Sequence, residues 1–250
     1  MMKIASLEGL IDRRILVNFR IEQSVVRELL PQPFEPILVN GYGIVGICLI
    51  RLKDLRIKGA PRFVGLSSEN SAYRISAHWE ENGKRKTGVY IPRRDTSSLL
   101  NTIAGGRVFP GLHHFSKFQV REENGQYELG IKSRDKVDFF IEAQESESFP
   151  PGSLFRSLGR ASAFFRKGHI GYSPVYKEEI FDGFEMHIPD WEVKPLRVNQ
   201  LHAAYFEDRS RFPKGSVFFD HALLMKNVYH EWAERGEMLA TRHSFRTLIQ

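Results

Sequence analysis

The sequence holds a single cysteine, Cys48, so no disulfide can form within the chain. Its place inside the apolar run YGIVGICLI marks it as a buried, inert thiol. No apolar run approaches the roughly 20 residues of a membrane span. The opening residues, MMKIASLEGLIDRR, have no apolar stretch of secretory length, so a cytoplasmic protein with no membrane partner is expected. A strong charge imbalance is missing as well. The formal net charge is +6, and the basic residues are scattered, with KRK at 84–86 and PRRD at 92–95 as the nearest approach to clusters. KRK follows an Asn-Gly turn and reads as a solvated hairpin tip, so nucleic acid is not an expected partner, although a mildly basic chain suits an anionic ligand.

Several chemistries lack their signatures. There is no G-x-S-x-G elbow for a serine triad. A metal site needs three or four converging ligands, and no histidine spacing supplies them. The adjacent His113 and His114 would project to opposite faces of a strand. GYGIVG at 41–46 fits G-x-G-x-x-G, but ICLIRL follows where a helix would have to start, so glycines on a curved strand explain it better. Neither a metal nor another cofactor is expected.

What is present is β-rich. EENGKRKTGVYI and REENGQYELGI each place Asn-Gly, at 82–83 and 124–125, between apolar flanks, the signal of a two-residue hairpin turn. In AYRISAHW the residues Tyr73, Ile75 and Ala77 fall on one face, and KVDFFIEAQ and DGFEMHI also read as strands. Three helices are expected. SVVRELLP has Ser24 as its N-cap and Pro31 as its stop. GSLFRSLGRASAFFRKG places Leu154, Phe155, Leu158, Ala161 and Phe165 on one side. FFDHALLMKNVYHEWAERG would begin at Asp220 as an N-cap and run to Trp232. On such a helix Asp220 and His221 would point about 100° apart and would not pair. ESESFPPGS at 145–153 is the best loop and is too short to separate domains. The 250 residues therefore read as one domain, 1–250, of mainly β (α+β) class, a barrel or curved sheet with peripheral helices.

In chain order, four stretches resemble the acetoacetate decarboxylase superfamily, and most closely its branch of uncharacterised proteins. FRIEQSVVRELLPQPFEP is similar to the family's opening and sets Arg20 on its active-site arginine. LSSENSAYRISAHWEENGKRKTGVYIP resembles its central hairpin and sets Glu69 on a pocket glutamate. TIAGGRVFPGLHHF matches its Gly-Arg approach to the catalytic segment, and FFDHAL its late Phe-Asp-His-Ala motif. The resemblance covers most of the chain. It implies a cone-shaped, mostly antiparallel β-barrel with an internal pocket, and a homo-oligomer.

The departure lies in GGRVFPGLHHFSKF, residues 105–118. The family carries Pro-Lys-Lys there, and its first lysine forms a Schiff base with the keto acid. Counting without gaps, His113 takes the proline's place, His114 the lysine's and Phe115 that of the second lysine. An imidazole forms no stable iminium with a ketone, so classical decarboxylation is not expected. Lys117, three residues past His114, would have to change strand face to substitute. The resemblance then implies a small keto or carboxylic acid as ligand and lyase-like chemistry of an altered kind. In it Arg20 grips the carboxylate, Glu69 positions substrate or moves a proton, and His114 acts as acid or base. His113, Arg107 and Phe115 would border the substrate, although bracing the glycine bend is the preferred reading for Arg107. His114 also suits donation to a bound anion, or the filling of a pocket that has lost its activity. A binding protein on the same fold, holding a carboxylate or lipid-like ligand among its phenylalanines, is the alternative.

Overall fold

The computed structural model describes residues 6–99, 102, 111–175 and 179–240. Thirteen strands form one mixed sheet: β1 (Ser6–Glu22), β2 (Glu35–Pro36), β3 (Leu38–Val39), β4 (Tyr42–Ile57), β5 (Leu66–Glu81), β6 (Lys84–Thr96), β7 (His113–Glu123), β8 (Gln126–Ser133), β9 (Phe139–Glu145), β10 (Ile170–Pro174), β11 (Ile180–His187), β12 (Lys194–Ala203) and β13 (Val217–Leu239). The described helices are α1 (Gln23–Leu29), α2 (Leu158–Arg166) and α3 (Ala204–Glu207). None of them is long and apolar enough to cross a membrane.

Local chemistry sets the hairpins. Asn82 and Gly83 (φ 52° and 69°) join β5 to β6, and Asn124 and Gly125 (φ 49° and 77°) join β7 to β8. Both residues of each turn are left-handed, as a type I′ turn requires. GYGIVG lies at the start of β4, and its glycines serve close packing. A Cβ at Gly46 would stand 2.5 Å from the Val17 carbonyl oxygen, and one at Gly43 2.7 Å from Val26 Cγ1.

The sheet closes in a ring. The pairings run β6–β10–β11–β13–β1–β4–β5 and back to β6, and the β6–β10 seam is parallel and only two residue pairs long. A second circuit leaves β6 through a parallel pairing with β7 and returns through β8, β9 and β12 to β13. The fold is thus mostly antiparallel with two parallel seams. Five strands belong to both circuits, and each packs apolar groups on both faces. Ile15, Val17, Ile47, Tyr73 and Ile75 pack on one face. Leu16, Cys48, Ile50, Leu223 and Met225 pack on the other, under α2. With apolar groups needed on both faces, the shared strands lose the alternation that marks a half-exposed strand.

Two helix expectations need correction. The stretch from Asp220 is strand β13, not a helix. One edge of it pairs with β1, and the other pairs first with β12 and then with β11. Its Ala, Leu, Met and Glu favour helix locally, but ladder bonds along both edges outweigh a preference of a few tenths of a kcal/mol per residue. At α1 the cap position falls on Glu22 and not Ser24, because β1 runs unbroken to Glu22 and the chain turns there. Ser157, whose hydroxyl accepts from the Arg160 amide, caps α2, so the amphipathic stretch is helical only in its second half.

Candidate functional site

The ring of seven strands encloses a cavity of about 330 Å³, closed on one side by Phe165 of α2 and the chain that follows it. Its wall is apolar (Leu16, Ile50, Val89, Ile91, Phe184, Trp191), yet, besides the exposed Arg166 of α2, three arginines line it: Arg14 from β1, Arg74 from β5 and Arg94 from β6. Each rests on an aromatic ring. The guanidinium carbon of Arg14 lies 5.7 Å from the Trp191 centroid, that of Arg74 4.8 Å from Phe165, and that of Arg94 4.9 Å from Phe184. None pairs with a carboxylate among the described residues. Arg14 donates to two sulfurs, Cys48 Sγ at 3.2 Å and Met186 Sδ at 3.8 Å. Arg74 donates to Asn18 Oδ1, and its Nε has no partner among the described residues. Arg94 Nε donates to Ser173 Oγ at 3.1 Å, and its Nη2 has no such partner. Burial lowers the pKa of both Arg74 and Arg94 to about 10, which leaves them charged at neutral pH.

The two carboxylates that border the cavity are already engaged. Asp95 accepts from Arg93 at 2.7 Å and from the hydroxyls of Ser71 and Ser116, both at 3.0 Å. Glu185 accepts from Arg235 at 2.9 Å. The cavity is therefore a positively charged, largely apolar chamber. In PRRD the strand alternation parts the two arginines: Arg93 goes to Asp95 and Asp135, and Arg94 goes to the cavity.

A buried polar chain holds Arg74. Asp220 accepts from Ser153 Oγ at 2.6 Å, from the Leu154 amide at 3.0 Å and from His221 Nδ1 at 2.6 Å. With Nδ1 donating, His221 Nε2 accepts from Asn18 Nδ2 at 3.0 Å, and Asn18 Oδ1 accepts from Arg74. Burial among Phe149, Phe155 and Phe165 pushes the His221 pKa down, against the pull of Asp220. Burial raises the Asp220 pKa, but the bonds from His221, Ser153 and Leu154 outweigh it and the net shift is downward. This corrects the expectation for the Asp-His motif. The two side chains do pair, and Asp220 caps the 150s loop, because on a strand the histidine's Nδ1 swings back to its neighbour.

Of the paired histidines, His113 lines the cavity. Its Nδ1 donates to the Gly111 carbonyl at 3.2 Å, which leaves Nε2 as the basic nitrogen. Burial, and secondarily the charge of Arg94, lower its pKa to about 3. His114 is exposed and does not line the cavity, so the inward imidazole is His113, not His114. Phe115 is half-buried beside Thr96 and also lies outside the lining. Lys117 is exposed, and no lysine is among the described residues that line the cavity. Arg107 lies outside the described residues.

Glu69 and Arg20 are likewise not in the cavity wall. Glu69 points from the opposite face of β5, pairing with Arg13 and, at 2.5 Å, with Arg51. Glu122, Asp12 and Lys53 complete a network that is neutral in itself. Arg20 sits near the end of β1 against Tyr42 and Phe218, donating to the Gly152 carbonyl at 3.5 Å. Sequence reasoning missed Arg14, Arg74, Arg94 and Asn18. The available signal was a charge on the second face of a strand whose first face had already been assigned to core, as with Arg74 beside Tyr73 and Ile75. Among the described residues no cluster of His, Cys, Asp and Glu could hold a metal ion.

A family model, DUF2071, described as an uncharacterized conserved protein, matches residues 11–219. No curated protein matches the chain. Among solved structures, acetoacetate decarboxylase from Legionella pneumophila is similar at TM-score 0.60 and 10% identity, over 96% of this chain and 90% of that one. The enduracididine biosynthesis enzyme MppR complexed with pyruvate gives TM-score 0.60 and 12% identity, over 98% and 93%. An acetoacetate decarboxylase-like enzyme from Sphingomonas wittichii RW1 gives 0.57 and 10%, over 96% and 95%. At such identities the likeness establishes the acetoacetate decarboxylase-like fold.

Proposed function

Since the chain belongs to the DUF2071 family and has the acetoacetate decarboxylase-like fold, we propose that it binds a small keto or carboxylic acid inside the ring and performs proton-transfer chemistry on it without a Schiff base. The observation that carries this reading is the chamber whose arginines have no carboxylate partner among the described residues. An uncompensated buried charge costs on the order of several kcal/mol, and an anionic ligand removes that cost. Arg94, with its idle Nη2, takes the carboxylate of the reacting end. His113 stands across the β6–β7 seam from it, register partner to Arg94, and is the group assigned to proton chemistry at the carbon next to the carbonyl. An anion on Arg94 offsets the positive charge that depresses His113 and restores part of its basicity. That a fold neighbour is complexed with pyruvate supports a 2-oxo acid as the ligand type. Lyase-like chemistry follows from the same abstraction when the α-carbon's neighbour carries a leaving group.

The test uses pyruvate in deuterated buffer, followed by nuclear magnetic resonance. The protein is expected to exchange the methyl protons. His113→Gln is expected to bind pyruvate and fail to exchange it, and Arg94→Met to do neither. Binding without exchange in the unaltered protein would overturn the catalytic part and leave the second reading, a carboxylate-binding protein. The apolar wall and the aromatic-backed arginines support that reading equally. The expected homo-oligomer draws support from exposed Ile57, Phe63, Val64 and Leu66, grouped on the β4–β5 connection and its edges.

A further inference from the structure

The count and spacing of the arginines say more than that the ligand is an anion. A guanidinium pairs fork to fork with one carboxylate, so a monocarboxylate on Arg94 leaves Arg14 and Arg74 in the same chamber without counter-charge. Elsewhere the molecule does not tolerate this. Arg13, Arg51, Arg56, Arg93 and Arg235, all largely covered, each meet at least one carboxylate. Leaving aside the exposed Arg166, the cavity arginines sit at different strand levels. Arg14 is in register with Ile50 of β4, whereas Arg74 is in register with Gly46, four residues away and roughly 13 Å along the strand. Arg94 lies between these levels, through Ala72 to Cys48. Each has its own aromatic plate and its own polar or sulfur contact, while the charge of Arg14 still acts on Arg74.

Resting on the proposed carboxylate site, we infer that the ligand carries two separated negative charges: a small dicarboxylate, one end on Arg94 beside His113 and the other reaching toward Arg14, one side of Arg94 along the strands. Arg14 carries the sharper signature, since its contacts among the described residues are two sulfurs and a ring, and sulfur accepts hydrogen bonds weakly. A carboxylate arriving there exchanges poor acceptors for good ones.

Isothermal titration of the full chain tests this with glutarate, 2-oxoglutarate, the monomethyl ester of each, pyruvate and inorganic phosphate. Each dicarboxylate is expected to bind at least about tenfold more tightly than its own half-ester, the worth of one charge-assisted contact. In Arg14→Met that ratio is expected to fall toward one, with circular dichroism and a melting curve confirming that the variant is folded. Should Arg14→Met fail to fold, the ratio in the unaltered protein decides alone. Equal affinity for diacid and half-ester overturns the inference while the carboxylate pocket stands. Phosphate binding more tightly than either diacid overturns it in favour of a compact anion. Failure of every carboxylate to bind sinks both readings.

Discussion

Arg94 shows how one residue serves binding at the expense of stability. Its charge is buried, and among the described residues its Nη2 has no partner and its Nε donates to a serine hydroxyl. Replacing a poorly compensated buried charge by an apolar side chain of similar length is often neutral or stabilising. Arg94→Met is therefore expected to unfold at higher urea than the parent, by about 1 kcal/mol in stability, while losing pocket ligands. A variant that loses both stability and binding would mean that the guanidinium is a structural group. Asn18 is the opposite case. It links His221 to Arg74 in a chain whose members are all buried. Asn18→Ala leaves polar groups unpaired on both sides and is expected to cost about 1–3 kcal/mol. In urea titrations an unchanged midpoint would show that the chain is not cooperative.

Among the elements, the weakest joint of the ring is the β6–β10 seam of two residue pairs. A Cβ at Gly88 would collide with the Ile170 carbonyl oxygen and stand 2.8 Å from Trp79 Cη2. Gly88→Val is expected to part the seam locally, at a cost of about 1–3 kcal/mol. Hydrogen exchange should then speed up at residues 170–173 and leave the β1–β4 amides protected. Uniform acceleration would instead mean that the ring opens only as a whole. The same elements show what was legible beforehand. The Asn-Gly hairpins stood out because turn chemistry is local, and so did the Tyr73, Ile75, Ala77 face. β13 did not, because its identity depends on β1, β11 and β12, which lie far away in sequence. Position in the family pattern led to residues 113–114, but not to which imidazole faces inward. That depends on the register of β7 against β6, where His113 meets Arg94 and His114 meets Asp95. Arg20 lies on the same face of β1 as Arg14 and stands outside the cavity wall through its place near the strand's end, whereas Glu69 stands outside it for a related reason. Opposite faces of one strand lead into different cores, and a motif does not say which core it addresses.

At the scale of the whole molecule, buried histidines couple folding to pH. Burial lowers the pKa of His113 to about 3 and that of His230 to about 4, and it lowers that of His221 as well. In the unfolded chain these groups titrate near 6.5. Between about pH 6.5 and 4 the unfolded state therefore binds more protons, so stability is full above that window and falls as pH drops through it. His230 alone accounts for on the order of 3 kcal/mol across its shift. Urea midpoints are expected to decline steadily from pH 7 to pH 4.5, and a flat profile over that range would contradict the burial of these rings. A last consequence follows from β13 closing both circuits of the sheet. About 200 residues separate it from β1, so on a ribosome adding roughly 5–20 residues per second β1 waits some 10–40 s for its second neighbour. Through that interval the nascent chain presents an apolar strand edge and has no chamber at all. Ligand can rescue the protein only after synthesis has passed β13, and any chaperone that shields the growing chain must hold β1 until then.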